Sequence, residues 1–351
     1  MVCIAAFIIL ALIGVFVAGI SIFKPKVGKA YLKAMKKAWG CLWKKVRLQK
    51  CETGFKDDVK NTLLSRVILK HPTWVKPLSI LIEILSVVIV IIAVWAILTA
   101  IKSLLALWAL GSCNVTKPSA CSLGAEVCSI DESEPTNALE VTGRWFTEWG
   151  EIFEAIPDKF KTYNAEDYLF NYIEMSGDEV EGLPVAVDIF DPGCSVCMIS
   201  YRNQKNAGFF DSYNVRLVPF PIQDANGEYK FKNSEIIVRY MFAIEQLRSG
   251  ASLGIIERVF NGKNSEGISY QNKFNDDYTR EEAIAKIESW IREDGFDEDG
   301  IKELREIVNY PEITDKINQN KEIVENQLRI KGIPTMLIDG KRHTGLWKSD
   351  E

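Results

Sequence analysis

The chain has 351 residues, enough for about two domains at roughly 150 residues each, and its net charge of −5 hides a strong segregation. Residues 24–77 carry fifteen Lys/Arg against three Asp/Glu, whereas residues 111–351 carry twenty-six against forty-three. Such asymmetry places two parts of the chain in different surroundings, and the lack of any nucleic-acid motif argues against nucleic acid as a partner.

Residues 2–23 (VCIAAFIILALIGVFVAGISIF) carry no charge and are long enough to cross a hydrocarbon core of about 30 Å as a helix. No basic residues precede them and no clear A-x-A site follows, so an uncleaved transmembrane helix over 1–23 is expected rather than a signal peptide. A second apolar stretch spans 78–110, with Glu83 and Lys102 near its ends, where long side chains reach the headgroups. The basic stretch 24–77 between them reads as a cytoplasmic loop, because Lys and Arg near helix ends stay inside. The expected result is a two-pass protein of the cell membrane, with residues after about 111 extracytoplasmic. Within the loop, KAYLKAMKKAWGCLWKKVRLQK interleaves basic and apolar residues, which also suits anionic lipid headgroups.

Of eight cysteines, Cys3, Cys41 and Cys51 fall in the membrane and cytoplasmic segments, with no zinc spacing, and read as reduced thiols. Cys113, Cys121, Cys128, Cys194 and Cys197 lie on the outer side, where disulfides or redox-active thiols are expected. Five is odd, so one thiol is left over or pairs with another protein. A zinc site from Cys121, Cys128, Cys194 and Cys197 has only one close Cys-x-x-Cys knuckle, and no metal is assigned.

Residues 111–180 read as a cysteine-containing linker followed by helices. The linker is rich in small, turn-forming residues; RWFTEWGEIFEAI then sets Trp145, Trp149, Ile152 and Ile156 on one helical face, and a further helix is expected before residue 183. LPVAVDIF (183–190) is a buried-strand candidate running into Asp191, Pro192, Gly193 and Cys194, with a helix to about Phe210. VRLVPFPI (215–222) is a second strand, and residues 232–330 are helical, with a capping box at Thr279 and Glu282. GIPTMLIDGKRHTGLW returns to strand, as two runs joined at Asp339-Gly340.

A thiolate is needed for thiol–disulfide exchange, and a free cysteine with pKa about 8.5 supplies little at neutral pH. A helix N-terminus favours the thiolate of Cys194, and Cys197, one turn on, can reach back to close a disulfide.

A strand, a Cys-x-x-Cys at a helix start, a helical block and a Gly-Ile-Pro-Thr strand entry follow in this order. Carried by FDPGCSVC (190–197), GIPTMLIDGK (332–341) and the approach NQLRIKGIP, roughly residues 180–350 resemble the DsbA-like branch of the thioredoxin superfamily. The resemblance implies an α/β, thioredoxin-like domain over 181–351 with a helical insertion at about 232–330, preceded by the two transmembrane helices. It implies Cys194 and Cys197 as the catalytic pair, Pro334 as a cis-proline, and Ile333, Pro334 and Thr335 on the substrate side. Ser195 and Val196 add no positive charge and Asp191 opposes a thiolate, so a milder oxidant than the family's extreme members is expected. The family closes with a helix after the hairpin, whereas this chain stops at Glu351, where that helix would begin.

The function implied is a membrane-anchored, extracytoplasmic thiol–disulfide oxidoreductase that forms or rearranges disulfides in exported proteins, without a cofactor. Its partners would be cysteine-containing clients, a quinone-linked or reductase-type membrane redox partner, and the bilayer. A reductase, as in cytochrome c maturation, and a redox-inactive binding module are the alternatives.

Overall fold

In the computed structural model, residues 7–11, 25–47, 72–121, 126–130, 137–175, 179–224 and 226–347 are described. The chain divides into two compact units, residues 1–101 and 102–351.

Of the first apolar segment only residues 7–11 are described, and they are helical. The rest of that expected membrane helix lies outside the described residues. The basic stretch read as a loop contains a 22-residue helix, α1 (Pro25–Val46). Ala38 and Cys41 are buried on it, while Leu32, Trp39 and Trp43 are exposed and the last two stack. Cys41 is disulfide-bonded to a partner outside the described residues, not the plain thiol expected from its compartment. Its spacing to other cysteines gave no sign of that pairing. Helix α2 (Val75–Leu110) is long and apolar enough to cross a membrane.

The last turns of α2 belong to the second unit. There Ala106 and Ala109 pack with Val115 against Ile152 and Ala155 of α3 (Ala138–Ala155). Lys102 pairs with Glu148 and lies over the Trp145 ring. Helix α2 thus covers the apolar stretch 78–110, and its last turns also find partners on α3.

Among the described residues no α-helix forms between 160 and 183; short 3-10 turns at Pro157–Phe160 and Ala165–Asp167 and strand β2 (Ile173–Glu174) are found there. Pro157, and the turn-forming Asn164 and Asp167, interrupt the helical pattern. Strand β3 (Val185–Phe190) runs parallel to β4 (Asn214–Pro219), with α4 (Ser195–Asn206) between them. The sheet has the order β2-β4-β3-β6-β7, with β6 (Thr335–Ile338) and β7 (Lys341–Thr344) antiparallel and joined at Asp339-Gly340. Both turn residues have positive φ, as the tight hairpin requires.

Between β4 and β6 lie α5 (Ser234–Leu247), α6 (Ser252–Asn261), α7 (Arg280–Glu293), α8 (Glu298–Val308) and α9 (Pro311–Glu322). The capping box of Thr279 and Glu282 opens α7, as its spacing indicates. Helix α5 buries residues on every side, which a helix does only at the centre of a bundle. Glu288 of α7 ties this block together by accepting from Tyr240 of α5 and from Arg305 of α8. A separate two-stranded ladder joins β1 (Cys128–Ser129) to β5 (Gly332–Ile333). Neither two-residue strand is long enough to have shown a period in the sequence.

Candidate active site

Strand β3 is buried from Ala186 onward and delivers the chain to Asp191 at its C-terminal end. The Asp191 carboxylate accepts from the Gly193 and Ile222 amides, each at 2.7 Å, and the Cys194 amide donates to its carbonyl. These bonds fold residues 191–194 into a turn. Gly193 is required there, since a Cβ would stand 2.4 Å from that of Phe231. From the helical block, Gln271 donates to the Pro192 and Cys194 carbonyls and Asn275 to that of Gly193. Neither residue drew attention in the sequence, where they sit in a run of polar residues.

Cys194 is the N-cap of α4, with extended backbone, and its sulfur accepts from the Cys197 amide at 3.4 Å. That contact, together with the positive end of the helix, stabilises negative charge at Cys194 whenever its sulfur is reduced. Ser195 is exposed and Val196 half-buried.

Cys197 is a buried thiol. Burial pushes it well above its ordinary pKa; a backbone hydrogen bond from Asp191 opposes this, and the charges of Asp188 and Asp191 add to it. Asp188 lies on β3 beneath the helix, and burial raises its pKa from 3.8 to about 6, only partly offset by the Gln204 amide donating to Oδ2 at 3.0 Å. Asp191 is raised to about 6 for the same reason, against its two backbone donors. The sequence contained a signal for Asp188, a single acid inside a β-branched apolar run.

The disulfide at this site joins Cys194 to Cys128, not to Cys197. A second links Cys113 to Cys121. Of the five cysteines beyond residue 110, Cys197 is the free thiol. Both sulfurs are buried, that of Cys194 beneath β1.

The Ile333–Pro334 peptide is cis. Ile333 and Thr335 are fully buried, and the Ile333 carbonyl lies 3.9 Å from the Cys194 sulfur. Thr335 turns its hydroxyl back to the Gly332 carbonyl, and the Gly345 amide donates to that of Pro334. The structure thus brings Cys194, Cys197, Asp191, Ile333, Pro334 and Thr335 to one place, and adds Cys128, Asp188, Gln271 and Asn275.

No protein-family model matches the sequence, and no curated protein matches it. Among solved structures, the chain is similar to a thioredoxin-like oxidoreductase from Silicibacter pomeroyi DSS-3 (19% identity over 47% of this chain and 80% of that one, TM-score 0.34). It is also similar to the thiol-disulfide exchange protein alpha-DsbA2 from Wolbachia pipientis (16% identity over 53% and 84%, TM-score 0.38). A third is ScsC of Proteus mirabilis in a transitional conformation (14% identity over 60% and 86%, TM-score 0.33).

Proposed function

We propose that the chain is a membrane-anchored thiol–disulfide oxidoreductase with its exchange site outside the cell, forming or rearranging disulfides in exported proteins. The observation that carries this reading is the Cys194 sulfur. It caps a helix, is engaged in a disulfide beside the Ile333–Pro334 peptide, and has the Cys197 thiol one turn behind it. This is the arrangement that a mixed disulfide and its resolving thiol require. Cys194 attacks or receives the client sulfur, Cys197 resolves the bond, and Asp188 is the nearby carboxyl able to take its proton. Ile333, Pro334 and Thr335 present the client side; Ser195 and Val196, without charge, tune the couple mildly.

Anchoring fits α2, since residues 75–101 rise about 40 Å at 1.5 Å per residue, more than a hydrocarbon core of about 30 Å. An adjacent membrane redox partner would renew the couple. The exposed tryptophans and lysines of α1 suit a bilayer surface on the cytoplasmic side.

A competing reading has a specific observation behind it. Cys128–Cys194 could be a permanent structural bond, leaving the domain a redox-inactive binding module. Oxidised Cys128→Ser protein in detergent, mixed with a small dithiol, separates the two. Exchange in that variant, abolished by adding Cys194→Ser, is expected; an inert Cys194–Cys197 pair would overturn the oxidoreductase reading.

A further inference from the structure

The segment that carries Cys128 lies where a client would lie. Residues 128–129 form an antiparallel ladder with Gly332–Ile333, Cys128 opposite Ile333 and Ser129 opposite Gly332. The ladder extends at one end, where the Ile130 amide donates to the Lys331 carbonyl; before it, the Leu346 amide, from beyond β7, donates to the Glu126 carbonyl. The Lys230 ammonium reaches the Ser129 carbonyl at 3.0 Å. All of these contacts are to backbone, so any extended peptide could make them.

The side chains add selection. Val127 lies diagonally across from Gly332, so close that a Cβ on Gly332 would stand 2.8 Å from Val127 Cγ2. Ser129 is fully buried, its hydroxyl meeting the Ser119 amide and hydroxyl, and Ile130 is buried as well.

We infer that residues 126–130 are a resident pseudo-client, and that Cys128 is a third exchange cysteine which occupies the client strand site through its bond to Cys194. The inference rests on the exchange reading given above. Release is an internal exchange. The Cys197 thiolate attacks Cys194 Sγ; the Cys194–Cys197 bond forms as the Cys128–Cys194 bond breaks, and Cys128 leaves as a thiolate that takes up a proton. One disulfide and one thiol stand on each side, so no oxidant or reductant is consumed. The segment then vacates the ladder and a client strand enters. Clients of the same pattern are favoured: a β-branched residue before the cysteine, a small one after it, and an apolar one next.

Two measurements on the full chain in detergent test this. In the first, the peptide Glu-Val-Cys-Ser-Ile is reacted with oxidised wild type and with oxidised Cys128→Ser. A tethered cysteine competes at millimolar effective concentration, so the wild type should react about tenfold more slowly at 0.1 mM peptide. Equal peptide rates, with small-dithiol exchange intact in both, overturn the inference alone; loss of dithiol exchange in Cys128→Ser overturns the functional reading instead. The second measurement needs no variant. Wild type should react several-fold faster with Glu-Val-Cys-Ser-Ile than with Glu-Val-Cys-Lys-Ile, and equal rates would show that the pattern of residues 127–130 does not describe clients.

Discussion

Asp188→Asn replaces one buried carboxyl by an amide of nearly the same shape, so it isolates what the acid costs the fold. Burial raises the Asp188 pKa from 3.8 to about 6. Between those values the native protein holds a proton that the unfolded chain has released, so unfolding free energy falls as pH rises. The contribution is complete below about 3.8 and lost above about 6. At about 1.4 kcal/mol per pH unit, the interval comes to about 3 kcal/mol. Asparagine does not titrate, so the stability of the variant relative to wild type should grow by about 3 kcal/mol from pH 3.5 to 7.5. Any constant effect of the amide cancels, including a donor placed where Oδ1 now has no partner among the described residues. Asp191 titrates in both proteins and cancels too. Guanidinium unfolding of the full chain in detergent micelles, followed by tryptophan fluorescence, measures the difference. Parallel stability curves across this range would refute the claim that burial raises the Asp188 pKa. In the same variant, resolution of a mixed disulfide by Cys197 should slow and lose its inflection near pH 6.

Gly193→Ala should destabilise by about 1–3 kcal/mol, because the Phe231 Cβ and ring must move, and a Phe231→Gly background, which removes both, should recover part of it in thermal melts. Gln271→Leu removes the donor to the buried Pro192 carbonyl and one of two donors to that of Cys194, which keeps the Met198 amide, and should cost about 1–3 kcal/mol, read by denaturation, with slower exchange at Cys194. An impermeant maleimide applied to intact cells after reduction should label the cysteines beyond residue 111 and spare Cys41; the reverse set would overturn the topology.

What the sequence made legible was local. The apolar run before Asp191, the helix beginning at Cys194, the capping box at Thr279 and the Asp339-Gly340 hairpin all follow from period or turn chemistry within a few residues. The cis peptide at Ile333–Pro334 was reached by resemblance, since nothing in the local residues demands it. Long-range features were hidden. Cys128 and Cys194 are 66 residues apart, and β1, at two residues, has no periodicity to show that a strand carries Cys128 to Ile333. Gln271 and Asn275 act through backbone carbonyls on a distant turn, which leaves no pattern of partners in the sequence. Helix α1 lies within the basic stretch, whose basic and apolar residues interleave at helical spacing.

The central claim is that Cys194 exchanges with client sulfurs and Cys197 resolves the bond. Covalent trapping in cells tests it most directly, with Cys128→Ser in the background so that the internal strand cannot take the client's place. The Cys128→Ser, Cys197→Ser protein should accumulate disulfide-linked adducts with exported proteins, released by reductant and resolved on a diagonal gel. The Cys128→Ser, Cys194→Ser protein should accumulate few. Equal trapping by the two, or none by either, would contradict the assignment of Cys194 as the attacking thiol.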